Sequence, residues 1–323
     1  MQMVVRVLDL FCGAGGFSHG FLFLSDEHLA IDIDPFALET FSLNHPRTKV
    51  LRADIGTLHA SVIERALGGR PHVVIASPPC EEYSLANPTS ERPAIERVYG
   101  TGTARLLLDA IRIIGDLEPE VFVIENVAAI LQGGGNEIIR REMERVGIHS
   151  VFFNLIHAED HGNPSRRLRV FISNVRIRLP RRPAPVVMDV IGDLPPLGVD
   201  ALLEPHNPVP NHTLRLLPPK IEKMVRKARW GQGVRHFRSR GRTIPNWVRL
   251  APDQIATSVN GLSRYIHPYE DRLLTVREHA RLMSYPDDYI FVGPLDSQYN
   301  QVGESVPPLV SGLIAKEVQS HIE

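Results

Sequence analysis

Apolar positions in the first part of the chain fall into short runs separated by stretches with helical spacing. Five runs are predicted to be buried strands: Val4–Leu10, Leu29–Ile33, His72–Ala76, Val121–Ile124 and Val170–Ile172. Between them, segments such as Thr103–Ile114 repeat apolar residues at the period of a helix. Since strands that alternate with helices pair in parallel and are covered on both faces, we expect an α/β fold with a doubly wound, mostly parallel sheet.

The pattern changes after Asn174. Prolines become frequent, the apolar periodicity weakens, and helical spacing returns only at Thr275–Met283 and Val306–Val318. This change places a domain boundary near Pro183. We therefore predict a larger α/β domain over residues 1–184 and 300–323, and a smaller, irregular domain with the hinge over residues 185–299.

The composition is that of an ordinary soluble enzyme. Of the 323 residues, 43% are hydrophobic and 23% are charged, and no apolar run approaches the ~20 residues that a membrane span needs. The chain starts with a strand pattern rather than a secretory signal. Its two cysteines, Cys12 and Cys80, are too few for a disulfide framework or a cysteine-based zinc site. We expect a cytoplasmic protein without a bound metal.

The formal net charge of −1 conceals an uneven distribution of charge. The segment Pro205–Leu250, called here the basic segment, holds eleven Lys or Arg residues and one acid, Glu222, which leaves it at +10 and the rest of the chain at −11. Such a contrast indicates a surface that binds polyanions. A solvated helix face around Lys220–Arg229 is the alternative interpretation.

A glycine-rich turn follows the first predicted strand, in the run Asp9–Gly16 (DLFCGAGG). Glycines let the backbone turn tightly here and approach a ligand closely. Asp32 ends the second strand, nineteen residues after Gly13, where a carboxylate of a nucleotide-binding fold can hold ribose hydroxyls. The spacing Gly-x-Gly-Gly differs from the dinucleotide pattern, and a tight loop without a ligand is the alternative.

Two further strand ends carry side chains suited to catalysis. Cys80 follows the strand His72–Ala76, and a thiol is both soft and ionisable near neutral pH, as attack on an electron-poor ring carbon requires. Glu125 follows the apolar run Val121–Ile124, whose low polarity favours a protonated carboxyl group. Each residue alone is compatible with a structural role. Because active groups gather beyond the carboxyl ends of such strands, we predict a nucleophile and acid pair.

Six motifs together point to one family. They are Asp9–Gly16, Pro78-Pro79-Cys80, Glu125-Asn126-Val127, Arg166–Arg169, Leu274–Glu278 with Pro286–Tyr289, and Tyr299–Pro307. In this order and spacing the chain resembles the cytosine-C5 DNA methyltransferases of prokaryotic restriction–modification systems, over nearly its whole length apart from the basic segment. The resemblance implies a Rossmann-like catalytic domain that uses S-adenosylmethionine, and a target-recognition domain at residues 185–299.

The resemblance also implies catalytic roles for individual residues. Cys80 would add to C6 of a cytosine, and Glu125 would contact N3 and the exocyclic amine. Arg167 and Arg169 would hold the O2 atom of the base and its surroundings. Addition at C6 would make C5 nucleophilic toward the methyl group.

The resemblance implies a cofactor site built on the glycine-rich turn. Phe11 would stack on the adenine, Asp32 would bind the ribose, and Asp54 would bind the adenine amino group. The expected cofactor-binding set is Phe11, Gly13, Ala14, Gly15, Gly16, Asp32, Ile33, Asp54, Ile55, Pro78, Glu304 and Ser305.

Double-stranded DNA is the implied substrate, and its target cytosine must be flipped out of the duplex to be reached. The loop from Glu81 to about Gly102 is the expected lid over the flipped base. The basic segment lies where the family places target recognition, and the expected DNA-binding residues are Ser84, Arg226, Arg229, Arg235, Arg238, Arg240 and Arg242. The resemblance leaves open the recognised sequence and whether a cognate restriction endonuclease acts on the same site.

Three positions depart from the common family pattern. Glu81 stands where Gln usually follows the nucleophile, and its charge could raise the thiol pKa or repel a phosphate. Ser165 replaces a Gln before the arginines, and Glu304 replaces an Asn near the cofactor, where its carboxylate would have to turn outward.

Two other functions are compatible with parts of the pattern. A branch of the family methylates transfer RNA, but it lacks a large recognition region such as the roughly 110 residues between Arg169 and Glu278. A non-catalytic DNA-binding module of this fold would have lost Cys80 or Glu125, and both are present. A dehydrogenase would leave Pro-Pro-Cys and Glu-Asn-Val unexplained.

Overall fold

The computed structural model describes residues 4–79, 98–100, 102–197, 209–239, 242–261 and 263–322. The chain divides into two compact units. The first comprises Met1–His157, Leu168–Pro180 and Val310–Glu323, and the second comprises Ala158–Arg167 and Arg181–Leu309. The sequence placed the corresponding limits at residues 184 and 300, and the function predicted for each unit stays a prediction.

The first unit contains a sheet of seven strands among the described residues. They are β1 (Arg6–Leu10), β2 (Glu27–Asp32), β3 (Lys49–Arg52), β4 (Val73–Ala76), β5 (Val121–Val127), β6 (Phe152–His157) and β7 (Leu168–Ser173). Their order across the sheet is β3-β2-β1-β4-β5-β7-β6, and β7 runs in the direction opposite to the other six. The five strands predicted from apolar runs are confirmed. β6 was not predicted, because as an edge strand it has only one fully buried residue, Ile156.

Ten α-helices lie in the described parts of the chain. They are α1 (Gly16–Phe21), α2 (Pro35–Asn44), α3 (Ala60–Leu67), α4 (Leu106–Leu117), α5 (Gly135–Arg145), α6 (Val187–Ile191), α7 (Pro219–Lys227), α8 (Val276–Leu282), α9 (Leu295–Glu304) and α10 (Pro308–Gln319). The predicted helices at Thr103–Ile114, Thr275–Met283 and Val306–Val318 correspond to α4, α8 and α10. Their ends shift by a few residues because caps decide them. The Thr275 hydroxyl, for example, accepts the Glu278 N–H at 3.2 Å and caps α8.

Helices cover both faces of the sheet. On one face, α3, α4 and α5 bury apolar residues against a core that includes Leu8, Val74 and Ile124. On the other face, Phe17 of α1 packs edge-on against Phe171 of β7, with ring centroids 6.0 Å apart. The remaining helices of that face are α2, which packs on β2, and α10, whose Ser311 hydroxyl donates to the Phe17 carbonyl. The doubly wound α/β fold is therefore confirmed.

The second unit has little regular structure around a small apolar cluster. Its described strands, β8 (Gly233–Ser239) and β9 (Arg242–Val248), pair antiparallel. Val225 and Ala228, at the end of α7, pack with Ile266 and Leu273. Much of the rest is loop, consistent with the prolines and weak periodicity of this part of the sequence. None of the described helices in either unit is long and apolar enough to cross a membrane.

Candidate active site

Most predicted site residues of the first unit lie along one edge of its sheet. The strand order changes direction between β1 and β4, since β2 and β3 lie beyond β1 and the later strands lie beyond β4. Sheets of this kind bind ligands outside the carboxyl ends of the strands at that point. The glycine-rich turn follows β1 and Pro78 follows β4, so both are placed there by the topology.

The glycine-rich turn faces open space at Gly13, whereas Ala14, Gly15 and Gly16 are buried. Phe11 and Gly13 have positive φ angles of 60° and 52°, and a Cβ on Gly13 would meet no described atom within 4 Å. Gly15, with φ of 93°, caps the start of α1, and its N–H donates to the Cys12 carbonyl at 2.9 Å. Ala14 is buried below the turn. A backbone with this conformation and no side chain over it can approach a ligand closely.

Asp32 fixes the turn to the end of β2. Its Oδ2 atom accepts the Gly13 N–H at 2.8 Å, and its Oδ1 atom accepts the N–H groups of Ile33 and Asp34 at 2.7 and 2.9 Å. A carboxylate has about four lone-pair sites, so one acceptor site remains after these three bonds. Ile33 is 60% exposed beside this carboxylate, which is unusual for a large apolar side chain at a strand end.

Asp54 holds the corresponding position after β3. Its Oδ1 atom accepts the Gly56 N–H at 2.9 Å and caps a 3₁₀ turn at Ile55–Thr57. Ile55 is buried, whereas Asp54 is exposed. Arg112 of α4 supports the turn by donating to the Ile55 carbonyl at 3.3 Å. The structure thus brings Asp32 and Asp54 to the same edge of the sheet, at the ends of adjacent strands.

Glu125 and Arg169 form an ion pair at the end of β5. Antiparallel pairing puts Arg169 opposite Val127, on the side of the sheet that Glu125 also faces. The Arg169 Nε and Glu125 Oε1 atoms lie 2.9 Å apart, although the N–H does not point at the oxygen. Glu125 is only 5% exposed, and Oε1 accepts no hydrogen bond from the described residues. The contact with Arg169 depends on the pairing of two distant strands, so only the apolar surroundings of Glu125 were visible in the sequence.

Asn126 is a site residue to which sequence reasoning gave no role. It is fully buried, its Nδ2 group donates to the Pro78 carbonyl at 3.2 Å, and its Oδ1 atom accepts the Val127 N–H at 2.9 Å. It therefore links the end of β5 to the segment that leads to Cys80. Its place inside Glu-Asn-Val was the available signal, because a polar residue amid apolar strand positions needs a buried partner.

A buried polar group lies directly before the glycine-rich turn. Burial raises the pKa of Asp9 to about 8, so this carboxyl group is largely protonated at neutral pH. The Ser18 hydroxyl donates to Asp9 at 2.6 Å and contacts the His28 ring at 3.0 Å. Burial lowers the pKa of His28 to about 3, which keeps this imidazole neutral. Asp9 and His28, the two ionisable residues of this cluster, are therefore largely uncharged at neutral pH.

Arg167 and Ser165 belong to the second unit and are buried in it. The Arg167 Nη1 group donates to the carbonyls of Val259 and Gly303 at 2.8 and 3.1 Å. With 2% exposure, this guanidinium holds loop backbone together. Ser165, which departs from the family pattern before the arginines, donates to the Leu282 carbonyl at 2.7 Å and has no exposed surface. That Arg167 contacts the base remains a prediction.

Glu304 and Ser305 end helix α9, also in the second unit. Glu304 is exposed, and its carboxylate covers Gly261, where a Cβ would lie 2.6 Å from Oε1. The Ser305 hydroxyl donates to the Val302 carbonyl at 2.8 Å. The expected orientation of Glu304 away from the cofactor and a cofactor contact of either residue remain predictions.

The basic segment contains both exposed and buried cations. Arg226, Arg229 and Arg235 are exposed, and Arg226 pairs with Glu222 at 2.6 Å. Arg249, counted in the same segment, is 5% exposed and donates to protein carbonyls. Arg238 and Arg242 lie in strands β8 and β9. Binding of DNA by these residues remains a prediction.

Several predicted residues lie outside the described residues. They are the nucleophile Cys80, its neighbour Glu81, the expected DNA contact Ser84, and Arg240. Most of the expected lid, from Glu81 to about Gly102, lies outside as well.

Solved structures with this fold include proteins named as methyltransferases. A crystal structure of a candidate DNA modification methyltransferase encoded within an E. coli prophage matches with a TM-score of 0.77 and 22% identity, covering 98% of this chain and 99% of that one. The structure of S. pombe Dnmt2 methyltransferase matches with a TM-score of 0.62 and 18% identity, covering 98% and 99%. These likenesses establish the Rossmann-like methyltransferase fold.

Sequence comparisons agree with the motifs. A Methanocaldococcus jannaschii protein described as a candidate type II methyltransferase is 37% identical over the full length of both chains. The type II methyltransferase M1.HphI of Haemophilus parahaemolyticus is 33% identical over 98% of this chain and 87% of its own. The family model described as C-5 cytosine-specific DNA methylase matches residues 5–191 and 198–320. With such coverage, this chain belongs to the C-5 cytosine-specific DNA methylase family.

Proposed function

We propose that this protein transfers a methyl group from S-adenosylmethionine to C5 of a cytosine flipped out of a short, specific sequence in duplex DNA. The observation that carries the proposal is the buried Glu125–Arg169 pair, which lies at the strand edge next to the segment leading to Cys80. The family assignment supports DNA methylation, and the geometry supports the roles of individual residues.

The residues of the first unit fit S-adenosylmethionine. The turn at Gly13 faces open space with its backbone uncovered, and Asp32 keeps one acceptor site that a ribose hydroxyl can use. Phe11 and the exposed Ile33 offer apolar surface for the adenine, and Asp54 offers a carboxylate for its amino group. When bound, S-adenosylmethionine supplies an electrophilic methyl group. The other proposed cofactor contacts are Ala14, Gly15, Gly16, Ile55, Pro78, Glu304 and Ser305.

Glu125 and Arg169 are suited to bind and polarise cytosine. Cytosine presents an N4 amine donor and an N3 acceptor on one edge and the O2 acceptor beside them. Oε1 of Glu125 accepts no hydrogen bond from the described residues, so it can accept one from the amine, and the Arg169 guanidinium can donate to O2. A carboxyl proton at N3 would withdraw electrons from the ring and favour addition at C6.

Cys80 carries the covalent step of the proposal. Its thiolate adds to C6, a C–S bond forms, and the electron pair of the C5–C6 double bond makes C5 nucleophilic. After methylation, removal of the C5 proton and expulsion of the thiolate restore the aromatic ring. Asn126 is proposed to position the segment before Cys80 by holding the Pro78 carbonyl.

Duplex DNA is proposed to bind the exposed arginines of the second unit, which supply phosphate contacts. The names of the relatives suggest a type II restriction–modification setting, in which a cognate endonuclease would cut the same unmethylated site. A cytoplasmic location would give the enzyme access to that DNA.

Base-resolution bisulfite sequencing of DNA from cells that express the chain tests the proposal. Protected cytosines in one short sequence are expected, and an unchanged pattern with folded protein present would refute DNA methylation. Purified protein offered plasmid DNA and total tRNA with labelled cofactor should label only the DNA.

A trapping experiment tests the covalent mechanism. Duplex DNA with 5-fluorocytosine at the target should become covalently linked to the wild-type protein when cofactor is present, because fluorine at C5 cannot leave as a proton does. Cys80→Ser should form no adduct while still binding the same DNA. An adduct with Cys80→Ser would assign the nucleophile to another residue.

A further inference from the structure

The β8–β9 hairpin belongs to the basic segment and is formed by two antiparallel strands of seven residues each. Ser239 pairs with Arg242, so only residues 240 and 241 separate the two strands. From Gly233 to Val248 the sequence has four arginines and no acid. At about 3.3 Å per residue, each seven-residue strand extends roughly 23 Å. A two-stranded ribbon of this kind fits the major groove of B-DNA, which is about 12 Å wide.

The base of this hairpin is held firmly in the second unit. Val234 and Trp247 pack on the small apolar cluster that includes Val225. Directly after β9, the buried Arg249 guanidinium donates to the carbonyls of His267 and Val225 at 2.9 and 2.8 Å. The backbone that carries a side chain in this part of the hairpin is therefore held in place. Precise recognition of a nucleotide edge requires such a fixed backbone.

Arg235 lies in β8 near the base of the hairpin, and its guanidinium stacks on the Trp247 ring. The guanidinium carbon lies 4.2 Å from the centre of the indole ring. Trp247 has a φ of +53°, a left-handed conformation rare for a bulky residue within a strand, and its N–H donates to the Asn246 side chain at 2.8 Å. This conformation sets where the indole lies, and the indole in turn limits the orientations of Arg235.

Three other arginines of the basic segment have partners within the protein. Arg226 pairs with Glu222 at 2.6 Å, Arg215 pairs with Asp296 at 2.9 Å, and Arg249 is buried. Arg235 is exposed, and no described carboxylate lies within 4.0 Å of it. Stacking occupies the face of a guanidinium and leaves its N–H edge free to donate two parallel hydrogen bonds.

We propose that the β8–β9 hairpin enters the major groove and that Arg235, oriented by Trp247, reads one guanine of the recognised sequence. The inference rests on the proposed DNA methylation and adds how one base is read. An arginine edge matches the O6 and N7 acceptors of guanine, and this bidentate contact is the commonest specific one. A phosphate contact by Arg235 is the competing outcome.

The test compares methylation rates on the preferred duplex and on duplexes with each of its G·C pairs replaced in turn. Arg235→Ala should lower discrimination at one of these pairs by roughly 10- to 100-fold and leave the others unchanged. Arg235→Lys, which keeps the charge but not the two parallel donors, should lose discrimination at the same pair. Trp247→Leu should lower discrimination at the same pair, but by a smaller factor.

Arg226→Ala is the matched control, because it removes an exposed arginine of α7 outside the hairpin. It should change affinity for all duplexes alike. If Arg235→Ala behaves in the same way, with every discrimination ratio kept, Arg235 is a phosphate contact and the inference is wrong. That result leaves the proposed function intact, whereas a wild-type protein that methylates no duplex would refute the proposed function itself. Thermal unfolding of each variant checks that it is folded.

Discussion

The two compact units satisfy their polar groups in different ways. In the first unit the sheet pairs backbone groups with one another, strands such as Val73–Ala76 are apolar on both faces, and polar side chains concentrate where strands end. In the second unit loops predominate, and arginine side chains bind their carbonyls. Arg249 and Arg272 are the clearest cases, each buried and bound to several acceptors.

This difference changes what a charged residue means in each part of the sequence. In the second unit several cations support loop backbone internally, so counting lysines and arginines overestimates the exposed basic surface. In the first unit an ionisable residue at a strand end is more informative, because the sheet leaves few other places for it. Mutations of the buried arginines in the second unit should therefore affect mainly stability, and mutations of ionisable residues at the strand ends of the first unit should affect mainly chemistry.

The largest effect on stability is expected for Arg272→Met. The Arg272 guanidinium donates two hydrogen bonds of 2.8 Å to Glu278, which is fully buried, and another of 2.8 Å to Glu270. Although burial opposes it, these bonds hold the pKa of Glu278 below its usual value. Removing the cation leaves a buried carboxylate unpaired, and the free energy of unfolding should fall by about 3–5 kcal/mol in urea titrations.

Arg226→Gln is the control for that measurement, since it breaks an exposed ion pair with Glu222 on helix α7. Its urea midpoint should remain close to that of the wild type. Equal losses in the two variants would contradict the division of arginines into supports and surface contacts.

The largest effect on chemistry is expected for Glu125→Gln. This nearly isosteric change removes the carboxyl group but keeps the shape of the strand end. Because general acid catalysis contributes about 10²–10⁴-fold, kcat for DNA methylation should fall at least about 100-fold. Thermal unfolding should shift little, and a methylation rate within a few fold of wild type would mean that the Glu125–Arg169 pair is structural.

A smaller effect on both properties is expected for Asn126→Ala. The change leaves the Pro78 carbonyl without its donor at 3.2 Å and costs about 1–3 kcal/mol of folding free energy, as is typical for an unsatisfied buried group. A positioning role also predicts slower trapping of 5-fluorocytosine DNA, while the affinity for DNA stays the same. Loss of stability with an unchanged trapping rate would leave Asn126 as a packing residue only.

At neutral pH the smallest effect is expected for His28 of the first unit, whose contribution appears only as a pH dependence of stability. Burial lowers the pKa of His28 to about 3, so the folded protein keeps this imidazole neutral while the unfolded chain protonates it below about 6.5. Its contribution to stability is therefore complete above pH 6.5 and is lost as the pH falls toward 3. In His28→Gln, the decline of unfolding free energy with falling pH should be shallower by up to about 1.4 kcal/mol per pH unit. An identical slope in the variant would show that His28 does not titrate in this way.

Most strands of the first unit could be predicted from the sequence. A strand buried on both faces needs apolar residues at consecutive positions, and such a run is visible in the sequence. The runs at Val121–Ile124 and Val170–Ile172 gave their strands directly. The strand at Phe152–His157 could not be found this way, since its edge position leaves polar residues such as Asn154 compatible with solvent. The antiparallel pairing of β7 could not be predicted either, because the composition of a strand does not depend on its direction in the sheet.

The candidate site was predictable where a motif fixes residue types, and less so where partners come from distant segments. The glycine-rich turn and Asp32 were predicted, and the structure brings them together. The contact between Glu125 and Arg169 depends on strand register, and the burial of Arg167 depends on loops around Val259 and Gly303. Neither follows from local sequence.

The reversed direction of β7 has a consequence for how the chain tolerates changes of length. Arg169 is the second residue of a strand that is hydrogen-bonded on both sides, to β5 at Val127 and to β6 at Ile156. Its position is therefore set by two neighbouring ladders rather than by the chain that precedes it. A change of length within residues 158–166 would therefore disturb the second unit, in which Ser165 is buried, while the two ladders preserve the spacing of Arg169 from Glu125.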